Sequence, residues 1–145
     1  MKKILVILCF VVISAFASQK AVLMTQSVHH TLTENKSEYY NNKNGGVGLE
    51  WTDDDSGFGV HALGYHNSYY KMTLGIGPHY EHDLGPVTGS IAVTFASGYE
   101  HLGVKYLPLP TVGLQYGYVR VITTMPFMLF TPYDSVTSLH FVFPF

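Results

Sequence analysis

Two short stretches carry the residue types that nucleophilic chemistry needs. His66-Asn67-Ser68-Tyr69-Tyr70-Lys71 sets a serine among polar neighbours, and His29-His30 supplies imidazoles. A serine hydroxyl becomes a nucleophile only when a base within hydrogen-bond reach takes its proton, and histidine suits that task near neutral pH. Spacing alone does not select this reading, because Asn and Ser also build tight turns by bonding nearby backbone. The chain has eight histidines, which raises the question of a metal. His29 and His30 are adjacent, so on a strand they point to opposite faces and do not share an ion. His79 and His82 are separated by a predicted turn with no cysteine near; they read as polar interior or rim residues, and no metal site is expected. There is no glycine-rich phosphate loop, zinc-protease helix or nucleophile elbow, and no cofactor is expected. With 8 Lys and Arg against 10 Asp and Glu, and no basic block, nucleic acid is not an expected partner.

The elements that would position these residues are strands. Bulky residues alternate with small or polar ones in segment after segment: Val47, Leu49 and Trp51 with Gly46, Gly48 and Glu50, then Met72, Leu74 and Ile76 with Thr73, Gly75 and Gly77. Ile91, Val93 and Phe95 alternate with Ser90, Ala92 and Thr94, and Leu139, Phe141, Phe143 and Phe145 with Ser138, His140 and Val142. Turn residues divide the chain into eight expected strands, near 24–32, 46–53, 57–66, 69–81, 86–97, 107–115, 118–124 and 135–145. Only 12% of residues are charged, and they are expected in the turns. A soluble barrel would put its bulky set inside and charges outside. Here the bulky set is expected to face lipid and the small set a narrow lumen, which makes the fold an all-β, eight-stranded antiparallel transmembrane β-barrel. The second, fourth and sixth connections are tight and the others mostly longer, the loop asymmetry of such barrels.

The start and end of the chain fit export to that membrane. Met1-Lys2-Lys3 is a short basic stretch, residues 4–16 are almost wholly apolar, and Ala15-Phe16-Ala17 has the small-x-small form of a cleavage site. Residues 1–17 are expected to be a signal peptide and 18–145 one barrel domain in the outer membrane of a Gram-negative bacterium. Cys9 leaves with the signal, so the mature chain has no thiol. Phe145 ends the last strand in phase with its bulky face, which resembles the terminal signal that outer-membrane barrels present to the barrel-assembly machinery. A closed barrel has no free edge, so a monomer is expected.

The small inward register includes Gly48, Gly75, Gly77 and Gly113, with Ser90 and Ala92. Such residues leave a slot wide enough for an acyl chain, or else relieve the curvature of the sheet. Three segments then resemble the outer-membrane lipid A palmitoyltransferases. They are Ser27-Val28-His29 with Tyr40-Asn41 and Gly45-Gly46-Val47-Gly48, then His66 to Lys71, then Tyr106-Leu107-Pro108-Leu109-Pro110 with Pro126 later. The resemblance implies acyl transfer from a phospholipid to the lipid A of lipopolysaccharide, with His29 as general base (His30 if the match slips by one), Ser68 as the reacting hydroxyl and Asn67 as orienting group. It also implies an acyl pocket among the four glycines, and openings in the wall at Pro108, Pro110 and Pro126. Two departures stand out: Asn67 replaces the family's Asp and carries no negative charge, and the family's amphipathic N-terminal helix is missing or very short. These departures motivate a second expectation, a non-catalytic barrel of surface-masking or phage-exclusion type. A soluble periplasmic lipid-binding barrel is a third.

Overall fold

The computed structural model describes residues 17–30, 40–125 and 135–145. Residues 1–16, which lie within the expected signal peptide 1–17, most of the first loop at 31–39, and 126–134 with Pro126 lie outside the described residues. Eight antiparallel strands close into one barrel in sequence order. They are β1 (Ala17–His30), β2 (Gly46–Asp53), β3 (Phe58–His66), β4 (Met72–Asp83), β5 (Thr88–Ala96), β6 (Leu107–Tyr116), β7 (Val119–Thr124) and β8 (Ser135–Pro144). Closure comes from β1 pairing β8 along Lys20–His30, so neither strand is left as an edge.

The tight end of the barrel is built by glycine. Gly57, Gly85 and Gly117 all adopt positive φ in the connections β2–β3, β4–β5 and β6–β7, where a side chain would be strained. Gly57 closes its turn by donating to the carbonyl of Asp53 at 2.8 Å, and Asp53 takes a second bond from the Ser56 hydroxyl. At the opposite end the β5–β6 connection contains a 3-10 turn, Glu100–Leu102, stopped by Gly103 in the left-handed conformation.

Strand number and connectivity agree with the sequence pattern, but the start of β1 does not. The strand begins at Ala17 rather than near residue 24, and its first residues pair with β2 from Ala17↔Asp53 to Met24↔Gly46. Gln19 and Lys20 look like solvated chain when read by polarity. In the barrel Lys20 points inward and forms an ion pair with Glu81, so a charge at this position is compatible with a strand.

That ion pair belongs to a wider departure. Charges were expected in the turns, yet four of them lie inside the barrel: Lys20, Glu50, Glu81 and Arg120. Arg120 is 3% exposed. Its Nη1 donates to both oxygens of Glu50 at 2.7 and 2.9 Å, its Nη2 to Glu81 at 2.7 Å, and its Nε to Gln115 at 2.9 Å. Two cations and two anions cancel, and every ion has a partner, which is the condition for tolerating charge away from water. The cluster fills the half of the lumen nearest the tight turns.

Outside, the pattern is the reverse. Val47, Leu49, Val60, Leu74, Ile76, Ile91, Phe95, Leu114 and Val121 are exposed on the outer wall. The inward glycines are not voids. A Cβ at Gly77 would lie 1.8 Å from the Val93 carbonyl oxygen, at Gly48 2.3 Å from Leu63 Cδ2, and at Gly75 and Gly113 2.6 Å from Thr94 Cγ2 and Ser90 Oγ. These positions admit the close approach of neighbouring strands and side chains, where a Cβ would not fit.

Candidate active site

The site sits at the end of the barrel opposite the ion cluster. A bulge in β1 decides which histidine faces it. Val22 and Met24 point inward, and strict alternation would continue through Gln26, Val28 and His30. The register against β8 instead shifts between Met24 and Gln26, with the Thr25 hydroxyl donating to the Leu139 carbonyl at 3.1 Å. The extra residue exchanges the two faces of the strand. Ser27 is consequently buried, His29 faces the lumen, and His30 is exposed outside with its Nε2 3.1 Å from Thr137 Oγ1.

Ser68 lies on the turn between β3 and β4, and Asn67 builds that turn. Asn67 is fully buried. Its Oδ1 accepts the backbone N–H groups of Tyr69 and Lys71 at 2.9 and 3.0 Å, and its Nδ2 donates to the Gly98 carbonyl at 3.1 Å. Its own backbone N–H bonds the Lys71 carbonyl, and its carbonyl accepts from Tyr70, which adopts φ 60°. The side chain expected to orient the histidine is therefore spent on the loop, and its bonds are to backbone.

The turn holds Ser68 Oγ 2.6 Å from His29 Nε2. The other ring nitrogen, Nδ1, is 2.8 Å from Oδ1 of Asn42. Tyr40 stacks on the imidazole with centroids 4.6 Å apart and planes 15° from parallel. The segment carrying Tyr40 and Asn42 is tied down on both sides: Asn41 N–H donates to the Ser68 carbonyl, and Ser27 N–H to the Asn42 carbonyl. Asn44 Nδ2 adds a bond to Ser27 Oγ at 2.8 Å. Asn42 was not singled out from sequence, and the amide run Asn41-Asn42-Asn44 was the available signal.

Below the pair opens a cavity of about 190 Å³. Its upper wall is apolar, with Met24, Leu63, Tyr65, Leu107 and Leu109; its lower wall carries His61, His79, His140 and the Arg120 cluster. Gly48, Gly75, Gly77 and Gly113 face inward but do not line it. Two seams flank the site. β1 and β2 stop pairing at Met24↔Gly46, although β1 continues to His30. β6 and β7 pair only up to Thr111↔Thr124, followed by Met125 N–H to the Pro110 carbonyl. Above that point Leu107 to Leu109 have no β7 partner among the described residues, and Pro108 and Pro110 have no N–H to offer. Among the described residues no group of three or more His, Cys, Asp or Glu side chains is placed to hold a metal.

Set against known proteins, the chain matches no family model and no curated relative.

Proposed function

We propose that the barrel crosses the outer membrane and transfers an acyl chain from a phospholipid to lipid A, with Ser68 as nucleophile and His29 as general base. The observation that carries the reading is the 2.6 Å contact between His29 Nε2 and Ser68 Oγ at the mouth of an apolar-walled cavity. The resemblance of three segments to the lipid A palmitoyltransferases supports the same two residues.

Membrane crossing is supported by an inside-out distribution of charge. Among the described residues no Asp, Glu, Lys or Arg between the strand ends points outward, while Lys20, Glu50, Glu81 and Arg120 point in. The outward face of β4 from Met72 to Tyr80 rises roughly 20 Å along the axis at about 3.3 Å per residue and a tilt near 40°. That height is close to the apolar band of about 25 Å on outer-membrane barrels. Exposed Phe58, Tyr116, Tyr118 and Phe145 gather at the tight-turn end, and Tyr70 and Tyr106 at the other. Tyrosine favours these two depths because it presents an apolar ring to lipid and a hydroxyl to headgroups.

In the proposed reaction the Ser68 hydroxyl attacks the ester carbonyl of the phospholipid and gives its proton to His29 Nε2. The ester C–O bond breaks, and the departing lysophospholipid oxygen takes that proton back. A hydroxyl of lipid A then attacks the acyl-serine, again giving its proton to His29, and Ser68 Oγ recovers it as the acyl chain leaves. The apolar upper cavity suits the chain while the ester stays at the rim. The stretch of β6 from Leu107 to Leu109, paired with β5 but without a β7 partner among the described residues, would offer a route for lipid to enter sideways.

Purified barrel in detergent, mixed with phospholipid and lipid A, is expected to raise the mass of lipid A by one acyl chain. A Ser68→Ala protein should leave the mass unchanged. Well-folded wild type with no added mass would remove the enzymatic reading and favour the non-catalytic barrel, which the neutral Asn67 also suits.

A further inference from the structure

We infer that Asn42 is a positioning residue for His29: its amide oxygen fixes the imidazole as the Nδ1–H tautomer, which leaves the Nε2 lone pair facing the Ser68 hydroxyl. The kinetic consequence rests on the acyl-transfer reading; the tautomer does not.

A neutral imidazole has one N–H and one lone pair, and the partner of one nitrogen decides the state of the other. Asn42 Oδ1 lies 2.8 Å from Nδ1, and an amide oxygen only accepts. The proton therefore sits on Nδ1, and Nε2 accepts from Ser68 at 2.6 Å. With the opposite tautomer two lone pairs would face each other at Nδ1, and Nε2 would donate to the hydroxyl it must deprotonate.

Asn42 is fixed well enough to enforce this choice. Its backbone carbonyl accepts from Ser27 at 3.0 Å, two residues before His29 on the same strand. Its neighbour Asn41 donates through N–H to the Ser68 carbonyl at 2.9 Å and through Nδ2 to the Asn67 carbonyl at 3.3 Å. Base, hydroxyl and orienting amide are thereby joined into one unit across β1, the β3–β4 turn and the segment before β2. An amide in this place orients the ring without adding negative charge, as the asparagine of a Cys-His-Asn set does.

The test uses the whole barrel in micelles with ¹⁵N-labelled histidine, the His29 signals being those missing in a His29→Gln protein. The wild type is expected to show Nδ1 protonated and Nε2 bare. Asn42→Ala should move the population toward the Nε2–H form and lower kcat by about 10- to 1000-fold, with KM little changed. Asn42→Asp keeps an acceptor oxygen and should keep the Nδ1–H form. An Nε2–H imidazole in the wild type, or ring shifts untouched by Asn42→Ala, overturns the inference. A tautomer that depends on Asn42 in a protein with no acyl transfer supports it while removing the enzymatic reading.

Discussion

Replacing Arg120 by methionine is expected to destabilise the barrel by about 3–5 kcal/mol, the cost typical of stranding a buried charge. The guanidinium makes four hydrogen bonds, three of them to carboxylates. Without it Glu81 keeps Lys20, but Glu50, 6% exposed, loses the cation it faces. Lost attraction is the smaller part of the cost, since desolvation already offset most of it when the pair formed. The larger part is an uncompensated carboxylate, and that part is separable. Glu50→Gln in the Arg120→Met background removes the stranded charge and should recover about half of the loss or more, a coupling a double-mutant cycle reads directly. Trp51 is the single tryptophan and follows Glu50 on β2, so its fluorescence reports guanidinium unfolding in micelles close to the change. A single variant within about 1 kcal/mol of wild type would mean that the cluster is not held out of water. A double variant no better than the single would mean that the cost is lost packing, and the charge argument would fail.

Three further outcomes test other parts of the structure. Ser68→Ala should abolish acyl transfer while changing stability by about 1 kcal/mol or less, because the half-buried hydroxyl makes one side-chain hydrogen bond; a large loss of folding would recast Ser68 as a structural turn residue. Gly77→Ala should block or sharply slow barrel assembly, because its Cβ would meet the Val93 carbonyl, whereas Gly64→Ala, whose nearest contact is Met72 Cε at 3.5 Å, should be close to neutral; equal gel mobility and refolding of the two would count against the described approach of β4 to β5. Ile76→Lys, at a site 62% exposed on the outer wall, should cost about 2–4 kcal/mol on insertion into a bilayer, and a neutral or solubilising effect would favour a water-exposed barrel.

Much of the fold was legible because a strand has period two and this barrel keeps its bulky residues on one face. Met72, Leu74 and Ile76 lie outward and Thr73, Gly75 and Gly77 inward, as the alternation required. What alternation does not reveal is a place where it slips. The bulge near Thr25 has no composition of its own, and it alone makes His29 rather than His30 the inward histidine. The ion cluster was hidden for a different reason. Alternation put Glu50 on the lumen register, but Lys20, Glu50, Glu81 and Arg120 stand on four strands far apart in sequence, and nothing local in the sequence pairs them. Asn67 bonds backbone because a buried amide beside two turn N–H groups is drawn to it, and the imidazole of His29 meets the Asn42 amide instead.

The two halves of the lumen differ in a way that bears on how such a site can work. Near the tight turns, β1–β2 and β6–β7 are fully paired and the interior is crossed by ionic bonds, so this half resists deformation. Near the site the same two seams carry no further ladder pairs among the described residues, and the residues around Ser68 are held by turn and loop hydrogen bonds. On the proposed acyl-transfer reading, His29 and Ser68 would have to be fixed to within about half an ångström while a lipid passes the wall to reach them. Under that reading the two needs would be separated around the circumference. His29 and Ser68 are held together between β1 and the β3–β4 turn, while on another side of the rim the proline-bearing stretch of β6 pairs with β5 but has no β7 partner among the described residues. A variant that extended pairing along β6, such as Pro108→Val with Pro110→Val, should leave the His29–Ser68 geometry intact and slow turnover only for substrates large enough to need the lateral route. Equal slowing for a short soluble ester would show that the prolines serve the site itself.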